Sequence, residues 1–211
     1  MLKKLQTAKL REKYGTEQVF VVPYLDVINV PDRFSKVVKD DLDWTRKGKY
    51  IFRYDAEYNT FFQQIIPYVV LTDRKKELFY ISKRISGEER LVNKLSIGFG
   101  GHINSCDGYY DPLEKCIARE LNEEVSARYM EESLSLLGTV RDMSSSTNDH
   151  IGIVFLKRVS NKSTIKIRES DKLKGQWMSM EDLYKNYGSF ESWGKYIIDF
   201  LYQERQRGNV L

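Results

Sequence analysis

Two periodicities alternate along this chain. Apolar residues recur at every second position, or in short unbroken runs, over Gln18–Leu25, Lys49–Tyr54, Ile65–Leu71, Glu77–Lys83, Ser96–Ile103, Leu136–Asp142 and Ile151–Arg158. These are the patterns of half-buried and fully buried strands. Weaker strand signals stand at Thr164–Ile167 and Gln176–Met178, and Val37–Trp44 is polar and undecided. The charged turn Thr72–Lys76 joins two apolar runs, which together read as a hairpin. A second polar stretch, Ser86–Arg90, leads to the glycine-rich Ser96–Ile103, and Asn104–Asp111 is rich in turn formers. Helical spacing takes over at Pro112–Val125, again from Met180, and over residues 190–206. This order predicts an α+β chain, a mixed sheet packed between helices in an α/β/α sandwich. Which strands run parallel does not follow from the pattern. A boundary near residue 64 divides an N-terminal extension, residues 1–64, from a main domain, residues 65–211. The apolar run Val19–Val22 must be buried somewhere, so the extension is expected to pack on the main domain.

The helix at Pro112–Val125 carries the chemistry. Asp111 suits its N-cap, Pro112 its first turn and Glu114 the third position after the cap. At 100° per residue, Leu113, Cys116, Ile117, Leu121 and Val125 share one apolar arc, with Lys115, Ala118, Arg119 and Asn122 opposite or at its edge. Glu120, Glu123 and Glu124 fall within roughly a third of a turn and overlap the apolar arc. An ordinary amphipathic helix keeps its acids on the polar side, where such a cluster is a solvated face. Here, partly buried carboxylates at i, i+3 and i+4 repel, and the pattern calls for a compensating cation. Oxygen-only ligands suit a hard divalent ion, Mg2+ or Mn2+.

Composition narrows the classes. The 211 residues carry a net charge of +4 spread over both signs. That mild excess favours an anionic small molecule no more than an ordinary solvated surface, and the basic runs are too short for a nucleic-acid tail. Two cysteines, Cys106 and Cys116, make no disulfide framework. Lysines and arginines interrupt the first residues, and no apolar run reaches the length of a membrane span. A reduced, cytoplasmic location without a membrane partner is the expectation.

Gly101, Asp111 and then Arg119-Glu120-Leu121-Asn122-Glu123-Glu124 resemble the Nudix box: a glycine, an acid, seven spacer residues, then Arg-Glu-aliphatic-x-Glu-Glu. Pro67–Leu71 followed by Ser96–Asn104 is similar to the MutT-like branch described as predicted phosphoesterases. The resemblance covers about residues 65–211 and implies a Nudix fold. It implies that Glu120, Glu123 and Glu124 hold magnesium (or manganese), joined by the carbonyl of Gly100. Arg119 would orient the glutamates, and Glu120 or a distal acid would take a proton from water. Arg119, Glu120 and Glu123 are thus the expected catalytic set, and Gly100, Gly101 and His102 the expected contacts to metal or phosphate. Asp142, Asp149 and Glu169 are candidates for the distal acid, each weighed against an ordinary loop carboxylate. The loop from Gly101 to Asp111 is four residues longer than the usual box.

The implied activity is magnesium-dependent hydrolysis of a diphosphate bond in a nucleoside diphosphate linked to another group. Two alternatives stand beside it. An isopentenyl-diphosphate-isomerase-like enzyme would use Cys106, close after His102. A regulatory module with this fold would bind a nucleotide or RNA and leave it intact. The expected partner is a small-molecule diphosphate rather than nucleic acid, with a homodimer through the extension left open. His150 and Cys116 read as structural. Tyr109, Tyr110, Phe61 and Phe62 are weighed as base-stacking aromatics against simple packing.

Overall fold

The computed structural model describes residues 2–86, 92–126, 130–145 and 148–209, so the turn expected at residues 86–90 lies mostly outside the described residues. In chain order the elements are α1 (Leu2–Tyr14), β1 (Gln18–Pro23), β2 (Arg33–Ser35), β3 (Lys49–Phe52), α2 (Arg53–Ala56), β4 (Phe62–Asp73), β5 (Leu78–Arg84), β6 (Leu95–Ser96) and β7 (Gly98–Phe99). There follow α3 (Pro112–Glu124), β8 (Val125–Ser126), β9 (Met130–Arg141), β10 (His150–Val159), β11 (Lys166–Ile167), β12 (Leu173–Ser179), α4 (Met180–Lys185) and α5 (Ser192–Gln206).

The main sheet runs β12-β5-β4-β10-β9-β2, with β1, β3, β6 and β7 attached to its sides. Its parallel contact joins β10 to β4 over ten residue pairs, from His150↔Gln64 to Val159↔Asp73. The other pairings in the described sheet are antiparallel. Alternate residues of β4 feed two cores. Tyr68 and Val70 pack with Val154, Leu156, Leu183, Ile197 and Leu201 beneath α4 and α5. Val69 and Leu71 pack with Phe99, Ile117, Leu121 and Val125 beneath α3. The sheet therefore lies between helices, as the alternation of periods predicts.

The hairpin expected from Ile65–Leu71 and Glu77–Lys83 is open. β4 and β5 pair only near their tip, at Thr72↔Phe79. Beyond it they splay, and the glycine-rich segment enters the gap. β7 bonds to β4 through Val69↔Phe99 and Val70↔Gly98, while β6 bonds to β5 through Ser82↔Ser96 and Lys83↔Leu95. Glycine is needed for this fit. A Cβ on Gly98 would stand 2.1 Å from the Tyr68 ring, and one on Gly100 would stand 2.0 Å from the Pro67 carbonyl oxygen.

The N-terminal residues contribute strands to the same sheet. β1 pairs with β4 at Val21↔Gln64, Val22↔Gln63 and Pro23↔Phe62, and β2 pairs with β9. Residue 64 falls inside β4. The helix α1 carries few apolar residues and no clear apolar stripe, so periodicity gave no sign of it. The strand expected through Tyr54 stops at Phe52, where α2 begins.

Candidate active site

Helix α3 is held by its apolar arc, with Cys116, Ile117 and Leu121 buried. Asp111 corrects one expectation. It adopts a left-handed conformation (φ 48°, ψ 50°), and its side chain makes no cap hydrogen bond. In that conformation the carboxylate does not reach the free N–H groups of the first turn, and the helix starts on the pre-set φ of Pro112.

Arg119 organises the site. Its Nε and Nη2 donate to the two oxygens of Asp107 at 3.0 and 2.9 Å, Nη1 donates to Glu120 Oε1 at 2.6 Å, and Nη2 also donates to the His102 carbonyl at 2.9 Å. A looser ion pair, 3.5 Å, reaches Glu123. A planar guanidinium with every edge engaged is a rigid support. Asp107 did not stand out in the sequence. It sits in the lengthened loop, where its carboxylate accepts the Asn104 N–H at 2.8 Å. The three-residue spacing of Asn104 and Asp107 signals a capped turn, but nothing in it names Arg119 as partner. The extra loop residues supply this buried acid, which is 3% exposed.

Glu120 and Glu124 are both raised, by burial first and by neighbouring acids after it. Burial pushes the Glu124 carboxyl up to about 8, with Glu120 and Glu169 adding to the rise, while Arg84 and a backbone hydrogen bond from Gly100 oppose it. Burial also raises Glu120, against the pull of Arg119. Glu123 is half exposed. Gly101 lies against Glu120, and a Cβ there would stand 2.5 Å from Oε1. Among the described residues no three His, Cys, Asp or Glu side chains converge into a ready metal cage. The donor chemistry nevertheless fits a hard cation: all-oxygen ligands, mutually repelling, with Glu124 raised by burial and by its acidic neighbours.

Gly100 and Glu124 line one end of a cavity of about 670 Å3, beside Arg84 and Lys94. Asp142, Ser144 and His150 line another part, with the aromatic rings of Tyr187, Trp193 and Tyr196 between elements. The splay of β4 from β5 and the start of α5 form its walls. Tyr109, Tyr110 and Phe61 are 80%, 80% and 77% exposed and, like Phe62, lie outside the lining of this cavity. The rings that do line it are Tyr68 of β4 and those of α5 and the turn before it, which sequence distance hid.

The remaining candidates separate clearly. Asp142 lines the cavity; burial pushes its carboxyl up, but hydrogen bonds from Ser192 and Ser144 outweigh this and hold it low. Asp149 is likewise held low by His150 against its burial. Glu169 is close enough to Glu124 to raise it, and pairs with Lys172 at 2.6 Å. His102 is drawn into a chain: its Nε2 lies 3.1 Å from His150 Nε2, and His150 Nδ1 lies 2.7 Å from Asp149 Oδ1. Burial, with nearby Arg53, holds His102 well below the usual histidine range. Cys116 is buried, and Cys106 is exposed and away from the cavity lining.

No protein-family model matches the chain. It is 33% identical to protein YmaB of Bacillus subtilis over 156 residues, spanning 71% of this chain and 76% of YmaB. It superposes on Tm1382, a candidate Nudix hydrolase, with a TM-score of 0.75 and 29% identity, covering 88% of this chain and 98% of that one. The chain belongs to the Nudix hydrolase family. The Nudix domain of Shewanella oneidensis NrtR, solved with ADP-ribose, is more distant: 16% identity, TM-score 0.49, and 70% and 89% of the two chains covered. Within the Nudix fold, α3 and the glycine-rich segment before it are the parts that the box pattern describes. No described helix is long and apolar enough to cross a membrane.

Proposed function

We propose that this Nudix hydrolase uses Mg2+ or Mn2+ to cleave a diphosphate bond in a nucleoside diphosphate linked to another group. The observation that carries the reading is the placement of Glu124 and Gly100 on the wall of a cavity large enough for such a ligand, with Arg84 and Lys94 beside them. A carboxylate that feels the charge of Arg84 suits a metal-held diphosphate, with Arg84 and Lys94, which line the same cavity, taking phosphate oxygens.

Glu120, Glu123 and Glu124 would hold the cation, which when bound polarises the phosphorus–oxygen bonds and lowers the pKa of water. Arg119 fixes the Glu120 carboxylate. Arg84 and Lys94 bind the diphosphate at the Glu124 end. Trp193 and Tyr196 offer flat apolar faces to a base, and Asp142, its carboxylate already fixed by Ser144 N–H and Oγ–H at 3.0 and 2.7 Å, accepts hydrogen bonds from hydroxyls.

The test is phosphate release, coupled to a phosphatase, across nucleoside diphosphate sugars, dinucleoside polyphosphates, oxidised nucleotides and NADH. Release from one class that requires the cation and disappears in Glu123→Gln supports the reading. Tight binding without turnover by folded protein would favour the regulatory module, and turnover unchanged in Glu123→Gln would sink the assignment of these residues.

A further inference from the structure

The N-terminal residues meet the glutamate site at three places. The Phe20 N–H donates to the Ile103 carbonyl at 2.9 Å, two residues beyond the glycine that abuts Glu120. The Tyr50 hydroxyl donates to the Gly108 carbonyl at 2.6 Å. The Tyr58 N–H donates to Asp149 Oδ2 at 2.7 Å. Each contact ends on a loop or strand end that touches Arg119 or its acceptors.

We propose that the segment from Phe20 to Tyr58 is a positioning element, which sets Arg119, and through it Glu120, by two separate hydrogen-bonded arms. This rests on the reading of Glu120 as part of the hydrolytic site. The first arm runs from Tyr50 to Gly108 and the turn that presents Asp107, whose carboxylate takes Arg119 Nε and Nη2 at 3.0 and 2.9 Å. The second runs from Tyr58 to Asp149, then His150, then His102, whose carbonyl takes Arg119 Nη2 at 2.9 Å. In the second arm His150 Nδ1 sits 2.7 Å from the Asp149 carboxylate, which accepts, and the two Nε2 atoms face each other at 3.1 Å, the tautomers deciding which one donates.

Two features mark these contacts as more than packing. Tyr58 holds a left-handed backbone conformation, φ 58°, which a non-glycine residue adopts at a cost, and that conformation aims its N–H at Asp149. Arg119 has its donors divided between the arms and Glu120, with one planar fork serving all of them. Moving either acceptor turns the fork and shifts the 2.6 Å contact to Glu120. Tyr50 and Gly108 lie outside the cavity lining, so substrate binding should be spared when the first arm is cut, whereas His150 of the second arm lines the cavity.

The experiment compares wild type, Tyr50→Phe, Asp149→Asn, Arg119→Lys and the two doubles with Arg119→Lys. Turnover comes from the phosphate-release assay, and Mn2+ affinity from the electron paramagnetic resonance signal of free Mn2+. Thermal melts confirm that each variant is folded. Each arm variant should lower kcat and Mn2+ affinity on the order of 10-fold, with KM little changed in Tyr50→Phe. In the Arg119→Lys background the same substitutions should cost almost nothing more, because their effect passes through the fork. Wild-type kcat and Mn2+ affinity in both arm variants would overturn the proposal, as would losses that multiply with Arg119→Lys. If wild type binds Mn2+ but turns nothing over, the hydrolase reading fails, while the Mn2+ cycle still decides the arms. Wild type that neither binds Mn2+ nor turns over overturns both.

Discussion

Glu124 shows how a single carboxyl reports its surroundings. Buried among other acids, it is raised from 4.5 to about 8. The unfolded chain releases this proton near 4.5, whereas the folded, cation-free protein holds it until near 8. Cation-free protein is therefore destabilised by this group as pH rises between those values. Relative to wild type, Glu124→Gln should gain stability from about pH 5 to about pH 8, and saturating Mg2+ should shrink the gap. Denaturation midpoints that differ by the same amount at every pH would contradict this. Gly101 offers a second test at the same scale. A methyl group there would sit 2.5 Å from Glu120 Oε1 and push the carboxylate aside. Gly101→Ala should weaken Mn2+ binding on the order of 10-fold, while leaving far-ultraviolet circular dichroism unchanged. Unaltered affinity would mean that Glu120 has room to move without consequence.

Helix α3 does two jobs with one set of side chains. Its buried arc anchors it to the sheet, and its carboxylates ride at the edge of that arc. Leu121 stands between Glu120 and Glu123, 6% exposed, within the core formed by Val69, Leu71 and Phe99. Leu121→Ala should cost about 2–5 kcal/mol of stability, read from urea unfolding, because the cavity left behind cannot fully collapse. A loss below about 1 kcal/mol would show that the arc is not what holds the helix. The open β4–β5 pair makes a related point about strands. Two runs joined by a short charged turn look like a hairpin, yet their pairing is interrupted by β6 and β7. Pairing preference lies in the register of distant residues, and Gly98 and Gly100 admit the inserted segment where any larger residue would collide.

At the scale of the whole molecule, the N-terminal residues are joined to the rest through backbone ladders. Val19, Val21 and Val22 are fully buried, and β1 covers an edge of β4. Expression of residues 62–211 alone should expose that edge and those partners, giving aggregated protein or loss of a single cooperative melt. A soluble fragment with a sharp transition would show that the extension is an independent addition.

Several features could be read from the order of residues because they depend on local geometry. The strand and helix periods gave the layered architecture, and the i, i+3, i+4 spacing of Glu120, Glu123 and Glu124 put three acids on one edge of a helix whatever surrounded it. The family followed from the same short stretch. What the tertiary structure decided was every relation between distant segments: the parallel ladder of β10 on β4, the salt bridge from Asp107 to Arg119, the chain from Tyr58 to His102, and the rings of α5 that line the cavity. Such contacts depend on which surfaces meet after the chain has closed on itself. A single sequence carries them only as the sum of many weak packing preferences, none of which names its partner.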